Sequence, residues 1–396
     1  MGTASSGQKF LPDIIDEIAD GLLATGLWWN ADSTWNTSVR SGNTARRVMA
    51  YGAAGGSGKG DTTLNASASV GATVLSVASS TNFNIGDMIV IGTGATAECR
   101  LVQAVASGQI TVTMGINTAR SVSDPVKELS FEIFLALEAI NSAIRVQPTY
   151  SNPVGVGYAD SKGFIVTFSS QWDWNAHYYA GGSQSSFVHY EMHSNGNSTD
   201  MAAMRNTYWL WYEAAGFVII GTPDATSSAY QQSFFCCVER NPNKEFTDGL
   251  TNWYCYNVMN YYNIHATNAP TNNRCHNLMR PFAFMTPEDT WNGGNYNSTV
   301  LAGINAGITF PYRGSNLAFR STGNNKVYFH KPQIQSMRGF QLPIFQSELF
   351  WVWNEGAGLV DGDIVMPTGG TRSYLLKAVA SPDVSTKLCF ALKYTD

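Results

Sequence analysis

From residue 163 onward, most of the apolar text of this chain comes in strand-sized pieces. Gly163-FIVTF, Phe217-VIIG, Ser233-FFCCVE, Leu349-FWVW, Asp363-IVM, Tyr374-LLKAV and Leu388-CFALKY are rich in β-branched and aromatic residues, and Asn, Gly, Pro and Ser separate them. Apolar runs of roughly four to eight residues bounded by turn formers have strand composition, whereas a helix needs about ten or more residues of helical periodicity. A chain written this way must build sheets. At 396 residues it has room for two or three domains with ample core. No repeat of fixed period runs through it, which disfavours propellers and solenoids. The expectation is a mainly β fold with a few α-helices (α+β).

Departures from the strand pattern set the expected domain plan. In Leu11-PDIIDEIADGLLATG, Ile15, Ile18, Ala19, Leu22 and Leu23 share one helical face. Pro12 suits the first turn, Asp13, Asp16 and Glu17 favour the positive end of the helix dipole, and Gly26 is the stop. Asn43-TARRVMAY reads as a second short helix. Next, Ala72-TVLSVAS, Phe83-NIGDMIVIG, Glu98-CRLVQAV and Gln109-ITVTMGI form a compact β text, with Ser107-Gly108 as a hairpin turn. Lys127-ELSFEIFLALEAINSAIR then reads as a returning helix with Phe131, Leu135, Ile140 and Ile144 on one face. Met201-AAMRNTYWLWYEAAG reads as another, capped by Asp200 and stopped by Gly216. The plan is an N-terminal helical docking segment with a Gly-rich linker (1–60), a small inserted β-barrel or sandwich module (61–126), the returning helix (127–153) and a large irregular β-rich C-terminal domain (154–396).

The linker, Tyr51-GAAGGSGKGDTT, contains Gly58-Lys59 and invites a nucleotide-binding reading. A phosphate loop needs G-x-x-x-x-G-K-[ST], whose backbone N–H groups wrap the phosphates while the hydroxyl holds magnesium. Here Ala53 stands where the first glycine belongs, and Gly60 replaces the hydroxyl residue. The segment reads instead as a flexible Gly/Ser joint, one stem of the inserted module.

Composition narrows function. Charged residues are 13% of the chain, about half the usual share, while aromatics reach 12%. The surface is therefore polar but uncharged, and the rings need burial, which subunit interfaces supply because their cores favour Tyr, Trp and Phe. A net charge of −5 without a basic block argues against sequence-independent DNA binding, and no direct nucleic-acid contact is expected. Arg40, Arg46 and Arg47 read as a solvated or ion-paired face. The polar opening Met1-GTASSGQKF gives no secretory leader, and no apolar run approaches the roughly 20 residues of a membrane span. Cys99, Cys236, Cys237, Cys255, Cys275 and Cys389 include no C-x-x-C pair, so buried free thiols are expected rather than zinc.

Three constellations carry possible chemistry. In Phe187-VHYEMHSNG, alternation puts His189, Glu191 and His193 on one strand face, a two-His, one-carboxylate ligand set that is weighed against a polar or interfacial strand. Gln171-WDWNAHYYAGG and Thr251-NWYCYNVMNYYNIH cluster rings with polar tips. Trp172, Trp174, Trp253 and Tyr254, with Trp28 and Trp29 near the N-terminus, are candidates for stacking on a glycan, for subunit contact or for core filling. The carboxylates Asp173, Glu191, Glu213 and Glu239 show no glycosidase-like pairing, and no G-x-S-x-G elbow occurs. Val238-ERNPNKEF, with Glu239, Arg240, Lys244 and Glu245, reads as a structural ion-pair loop. No cofactor is expected, and the chain reads as a non-enzyme.

Val70-GATVLSVASSTNFNIGDMIVIGTGATAE and Gly108-QITVTMGI carry a T-x-L-x-V strand, an F-x-x-G-D-x-I-x-I hairpin and a closing I-T-V strand. This text resembles small β modules of tailed-bacteriophage virion proteins. Gly358-LVDGDIVMPTGGTRSYLLKAVASPDVSTKLCFALKY and Trp35-NTSVRSGNTARRVMAY are similar to virion and tail components as well. The resemblance implies a structural subunit of the tail, baseplate or neck, assembled in the host cytoplasm into the virion. Its partners would be copies of itself and other virion proteins, with a host-receptor or glycan-binding tail-tip role as the alternative. It brings no catalytic motif.

Overall fold

The computed structural model describes residues 2–32, 45–141, 162–169, 171–175, 178–179, 184–189, 205–223, 234–240, 253–259, 283–285, 329–330, 333–335, 343–346, 348–353, 360–379 and 388–395. In chain order the first elements are β1 (Thr3–Phe10), α1 (Leu11–Ala24), β2 (Trp28–Asn30), β3 (Ala45–Ala54), β4 (Asp61–Thr63), β5 (Val74–Ser76) and β6 (Met88–Ile91). They are followed by β7 (Glu98–Ala106), β8 (Gln109–Val112), β9 (Pro125–Asn141), β10 (Lys162–Ser169), β11 (Trp172–Asp173), β12 (Tyr178–Tyr179) and β13 (Gln184–His189). Then come β14 (Arg205–Glu213), β15 (Gly216–Pro223), β16 (Phe234–Arg240), β17 (Trp253–Met259), β18 (Ala283–Met285) and β19 (Phe329–His330). The last are β20 (Gln333–Gln335), β21 (Pro343–Gln346), β22 (Phe350–Trp353), β23 (Ile364–Val365), β24 (Tyr374–Val379) and β25 (Leu388–Lys393). The fold is mainly β, built of several antiparallel sheets with one α-helix among the described residues, as the strand-sized runs predict.

The chain divides into two compact units. One holds Pro12–Ala139 and Val166–Ser185; the other holds Met1–Leu11, Ile140–Ile165 and Ser186–Asp396.

In the first unit α1 forms as its periodicity predicts. Ile14, Ile15, Ile18, Ala19 and Leu22 are fully buried, and Gly26 ends the helix at φ +76°, its N–H bonded to the Leu23 carbonyl. The main sheet runs β9-β3-β2-β7-β8-β5, with β10 and β13 continuing beyond β9. Arg47 of β3 pairs with Asp16 of α1 at 2.7 Å, and Arg46 with Glu138 of β9 at 3.2 Å, so these arginines form an ion-paired face.

Two expected helices here are strands. Ala45–Ala54 is β3, a central strand between β2 and β9, and Val48, Met49, Ala50 and Tyr51 are all buried. Burial on both faces removes the alternation that marks a strand. The expected returning helix over 127–153 is β9 as far as Asn141. Its register against β3 slips between Tyr51 and Gly52, making Glu132 the extra residue of a β-bulge. One sheet face is therefore carried by Leu129 and Phe131 before the bulge and by Phe134 and Ala136 after it. The resulting three-residue step imitates helical spacing. At the bulge, a Cβ on Gly52 would lie 2.3 Å from the Ser130 carbonyl oxygen, so only glycine fits.

The Gly-rich segment is no flexible joint. β3 and β4 both pair with β9, and residues 55–60 are looped out opposite Glu128. The Glu128 N–H donates to the Gly60 carbonyl at 2.7 Å, and the Gly60 N–H donates to Glu128 Oε2 at 2.9 Å. Lys59 Nζ pairs with Glu128 Oε1. The anion that Gly60 and Lys59 hold is the chain's own carboxylate.

In the second unit one sheet runs β1-β14-β15-β16-β17-β18. The polar opening segment is its edge strand, pairing from Thr3↔Tyr212 to Phe10↔Arg205. The helix expected over 201–215 is instead β14, joined to β15 by the turn Ala214-Ala215; residues 201–204 lie outside the described residues. Alternate Tyr and Trp residues suit a pleated, buried surface better than a helix. A five-stranded sheet, β19-β22-β25-β24-β23, packs on this one: Phe235 of β16 stacks on Phe390 at 4.2 Å and meets Phe350 edge-on at 4.8 Å.

The two units share a motif. Strands β5 to β8 lie in the order β6-β7-β8-β5, and strands β22 to β25 lie in the order β23-β24-β25-β22, every pair antiparallel. Both are Greek keys, with the first strand beside the fourth. Both enter their second strand through a Gly-Asp turn. The Asn84 N–H donates to Asp87 Oδ2 at 2.6 Å, and the Val360 N–H to Asp363 Oδ2 at 2.8 Å. Gly86 and Gly362 have φ of 92° and 94°, and their N–H groups donate to the carbonyls of Val102 and Leu376 at 2.9 and 2.8 Å. The chain thus holds an internal repeat, although no fixed period betrays it.

Candidate functional site

The rings singled out in the sequence are placed by the sheets, mostly facing inward. Trp28 of β2 is buried edge-on to Tyr51 at 5.0 Å, while half-buried Trp29 donates its indole N–H to the Gly52 carbonyl at 2.9 Å. Trp172 donates to buried Asp32 Oδ2 at 3.1 Å, and the rings of Trp172 and Trp174 each lie 6.1 Å from that of Phe134. Trp253 is fully buried on β17. Tyr254 lies on the same strand opposite Glu239, and its side chain is outside the described residues. Stacking on a sugar requires an open ring face, and Trp28, Trp172, Trp174 and Trp253 have theirs covered by their own chain. The core-filling alternative fits these four.

His189 is the last residue of β13, and its side chain is not described; Glu191 and His193 lie outside the described residues. Among the described residues, no three His, Cys, Asp or Glu side chains gather as a metal site. The candidate carboxylates are dispersed into structural tasks. Asp173 accepts the Asn175 N–H at 2.9 Å, and Glu213 takes Lys393 at 2.5 Å and the Trp211 indole at 3.1 Å. Glu239 is buried on β16, not in a loop, and accepts the Glu348 N–H at 2.7 Å; Lys244 and Glu245 are outside the described residues. Cys99, Cys236 and Cys237 are buried free thiols as expected, and burial pushes the Cys99 thiol pKa up, away from thiolate chemistry.

A buried ionic cluster went unnoticed in the sequence. Glu98 and Arg100 alternate on β7, and Arg120 reaches them from the loop after β8; all three are buried. Glu98 Oε2 accepts from Arg100 Nη2 at 2.5 Å and from the Asn117 N–H at 2.9 Å, while Oε1 accepts from Arg120 Nη2 at 2.8 Å and from the Thr118 N–H at 3.2 Å. A carboxylate offers about four acceptor positions, and here four donors fill them. Arg100 also donates to the carbonyls of Ala31, Cys99, Met114 and Gly115. Desolvation lowers the Arg100 pKa, and the charges of Glu98 and Asp32 oppose that shift. With Asp32 included, two cations meet two anions. The arrangement clamps the end of the first Greek key and leaves no lone pair for a substrate proton. An E-x-R pair inside an apolar strand was the one available signal.

What remains for function is surface. Matching the two Gly-Asp turns sets Met88 and Val90 of β6 beside Ile364 and Met366. The outer edge of β6 pairs with β9 through Ile89↔Glu128, Val90↔Lys127 and Ile91↔Val126, and Met88 and Val90, packed in one apolar cluster with Phe134, Trp172 and Trp174, are 6% and 2% exposed. The strand β23 ends its sheet, and Ile364 and Met366 are 53% and 62% exposed. Val360, in the turn before them, is exposed too. Among the described residues, the outer edge of the matching strand is thus paired in one unit and unpaired in the other. No family model, curated protein or solved structure matches this chain.

Proposed function

We propose that this chain is a non-enzymatic structural component of a tailed-phage virion, of the tail, baseplate or neck, acting through oligomeric assembly interfaces. The observation that carries the reading is the exposed apolar pair Ile364 and Met366 on a strand that ends its sheet among the described residues, in a chain with only 13% charged residues. Soluble monomers commonly guard strand edges with charge or cover; β23, although only two residues long, carries no charge, and its exposed apolar side chains favour a subunit that is completed by a neighbour. The virion itself is supported by the likeness of Phe83-NIGDMIVIG and Gly358-LVDGDIVMP to phage β modules. Its partners on this reading are copies of itself and other virion proteins, assembled in the host cytoplasm, with no cofactor, membrane or direct nucleic-acid contact. No helix among the described residues is long and apolar enough to cross a membrane. The host-receptor or glycan alternative loses support because Trp172, Trp174 and Trp253 are buried.

Size-exclusion chromatography with light scattering at micromolar concentration tests the reading. Rings or stable hetero-complexes are expected; a chain that stays solitary would sink it.

A further inference from the structure

The first Greek key shows what belongs on the bare edge of the second. Its β6 is completed by an antiparallel strand, β9, whose pairing from Ile89 to Ile91 occupies the outer backbone edge of β6. Residues 360–366 repeat that geometry down to the turn bonds and the glycine dihedral, yet Ile364 and Met366 face solvent. We propose that β23 is a strand-addition edge whose occupant is β23 of a second copy of this chain, laid antiparallel across a two-fold axis.

Three features select that occupant. A two-fold axis makes two identical strands antiparallel, the direction in which β9 covers β6, and it closes with a single self-complementary contact. Centred on Val365, the pairing sets Ile364 opposite Met366 of the second copy and Met366 opposite its Ile364, so apolar side chains meet across the strands. It also sets Asp363 opposite Pro367, while Asp361 is already held by Lys377 at 3.2 Å, so no like charges face each other. The run Ile364-Val-Met-Pro-Thr368 carries no charge that would guard the edge against such pairing. The proposal rests on the assembly reading above for the presence of a second copy and names the contact within it.

The test uses the full-length chain. Wild type and the double variant Ile364→Asp/Met366→Asp are compared by light scattering across a concentration series. Melting curves check that both fold, and hydrogen exchange follows residues 360–366. A separate Val365→Cys variant, whose cysteine sits on the proposed axis, is oxidised and run on a denaturing gel. The expected results are self-association weakened at least 100-fold in the double variant, loss of exchange protection over 360–366, and a covalent dimer from Val365→Cys that wild type does not give. If wild type assembles and the double variant assembles equally well, β23 is not the contact and this proposal alone falls. If wild type is solitary, the assembly reading falls with it. Protection of 360–366 in the assembled wild type without a covalent dimer from Val365→Cys assigns the edge to a strand of a different sequence and overturns the two-fold pairing.

Discussion

The Greek keys β5–β8 and β22–β25 share a strand order, a Gly-Asp turn and its hydrogen bonds, but only the first is finished by its own chain. In the first, β9 covers the outer strand and a buried Glu98–Arg100–Arg120 clamp closes the end. In the second, the outer strand has no further strand beside it among the described residues, and the position matching Glu98 is Arg372, which is exposed and 4.0 Å from Glu348. The local text fixes the turn in both; the surroundings decide whether the same side-chain positions are core or surface. The sharpest way to break this comparison is one substitution made twice. Val90→Asp puts a carboxylate into a packed apolar cluster and is expected to cost about 4 kcal/mol or more, since an unpaired buried charge belongs with the most damaging changes. Met366→Asp in the monomer is expected to change stability by about 0.5 kcal/mol or less, as exposed substitutions do. Urea denaturation of each variant measures both, and equal losses would dissolve the distinction.

The clamp comes next in size. Glu98→Ala leaves Arg100 and Arg120 buried without their carboxylate, and removing one partner of a buried ionic group costs about 3–5 kcal/mol. The matched change, Arg372→Ala, breaks only an exposed pair worth about 0–1 kcal/mol. Denaturation midpoints that shift together would show that the first clamp is no more than a surface pair.

These contrasts also explain what the sequence disclosed. The helix α1 and the strands β5 to β8, with their Ser107-Gly108 turn, were legible because their signals are local: one apolar stripe, short runs and turn residues at fixed spacing. β3, β9 and β14 were misread as helices because the deciding facts are tertiary. β3 is buried on both faces, the β9 bulge at Glu132 resets the alternation, and the buried aromatic run of β14 takes its period from its neighbours β1 and β15. The candidate rings were correctly marked as needing burial, but the text could not say that the chain itself supplies it for Trp172 and Trp174. The bare edge was invisible because Asp363-IVM and Asp87-MIVI read alike; only the position of β9 separates them.

The turn itself should behave identically in both keys. Gly86 and Gly362 sit at φ 92° and 94°, and a Cβ at either would meet no atom within 4 Å. The cost of Gly86→Ala and of Gly362→Ala is therefore conformational alone, about 1–2 kcal/mol each. Thermal melts in which the two differ by more than the cost itself would show that the turns are not the same device.

The smallest effect concerns how β9 is held over β6. Glu128, paired opposite Ile89, receives the Gly60 N–H and Lys59 Nζ from the looped segment 55–60. The bond to Glu128 is the main cause that raises the Lys59 pKa above its ordinary 10.5, with a weaker opposing contribution from desolvation. A group whose folded pKa is raised lends stability that is complete below the unfolded value and fades as pH climbs through the folded one. The contribution of Lys59 is therefore full at neutral pH and is lost only above about pH 10.5. It is small, because the amine is partly in water and screened. Lys59→Met should lower the melting temperature slightly at pH 7 and by less at pH 11.5, so that the difference between variant and wild type shrinks as the medium becomes alkaline. A gap that widens instead would mean that Lys59 does not hold Glu128 as an ion, and that the loop keeps β9 in place by its backbone bonds alone.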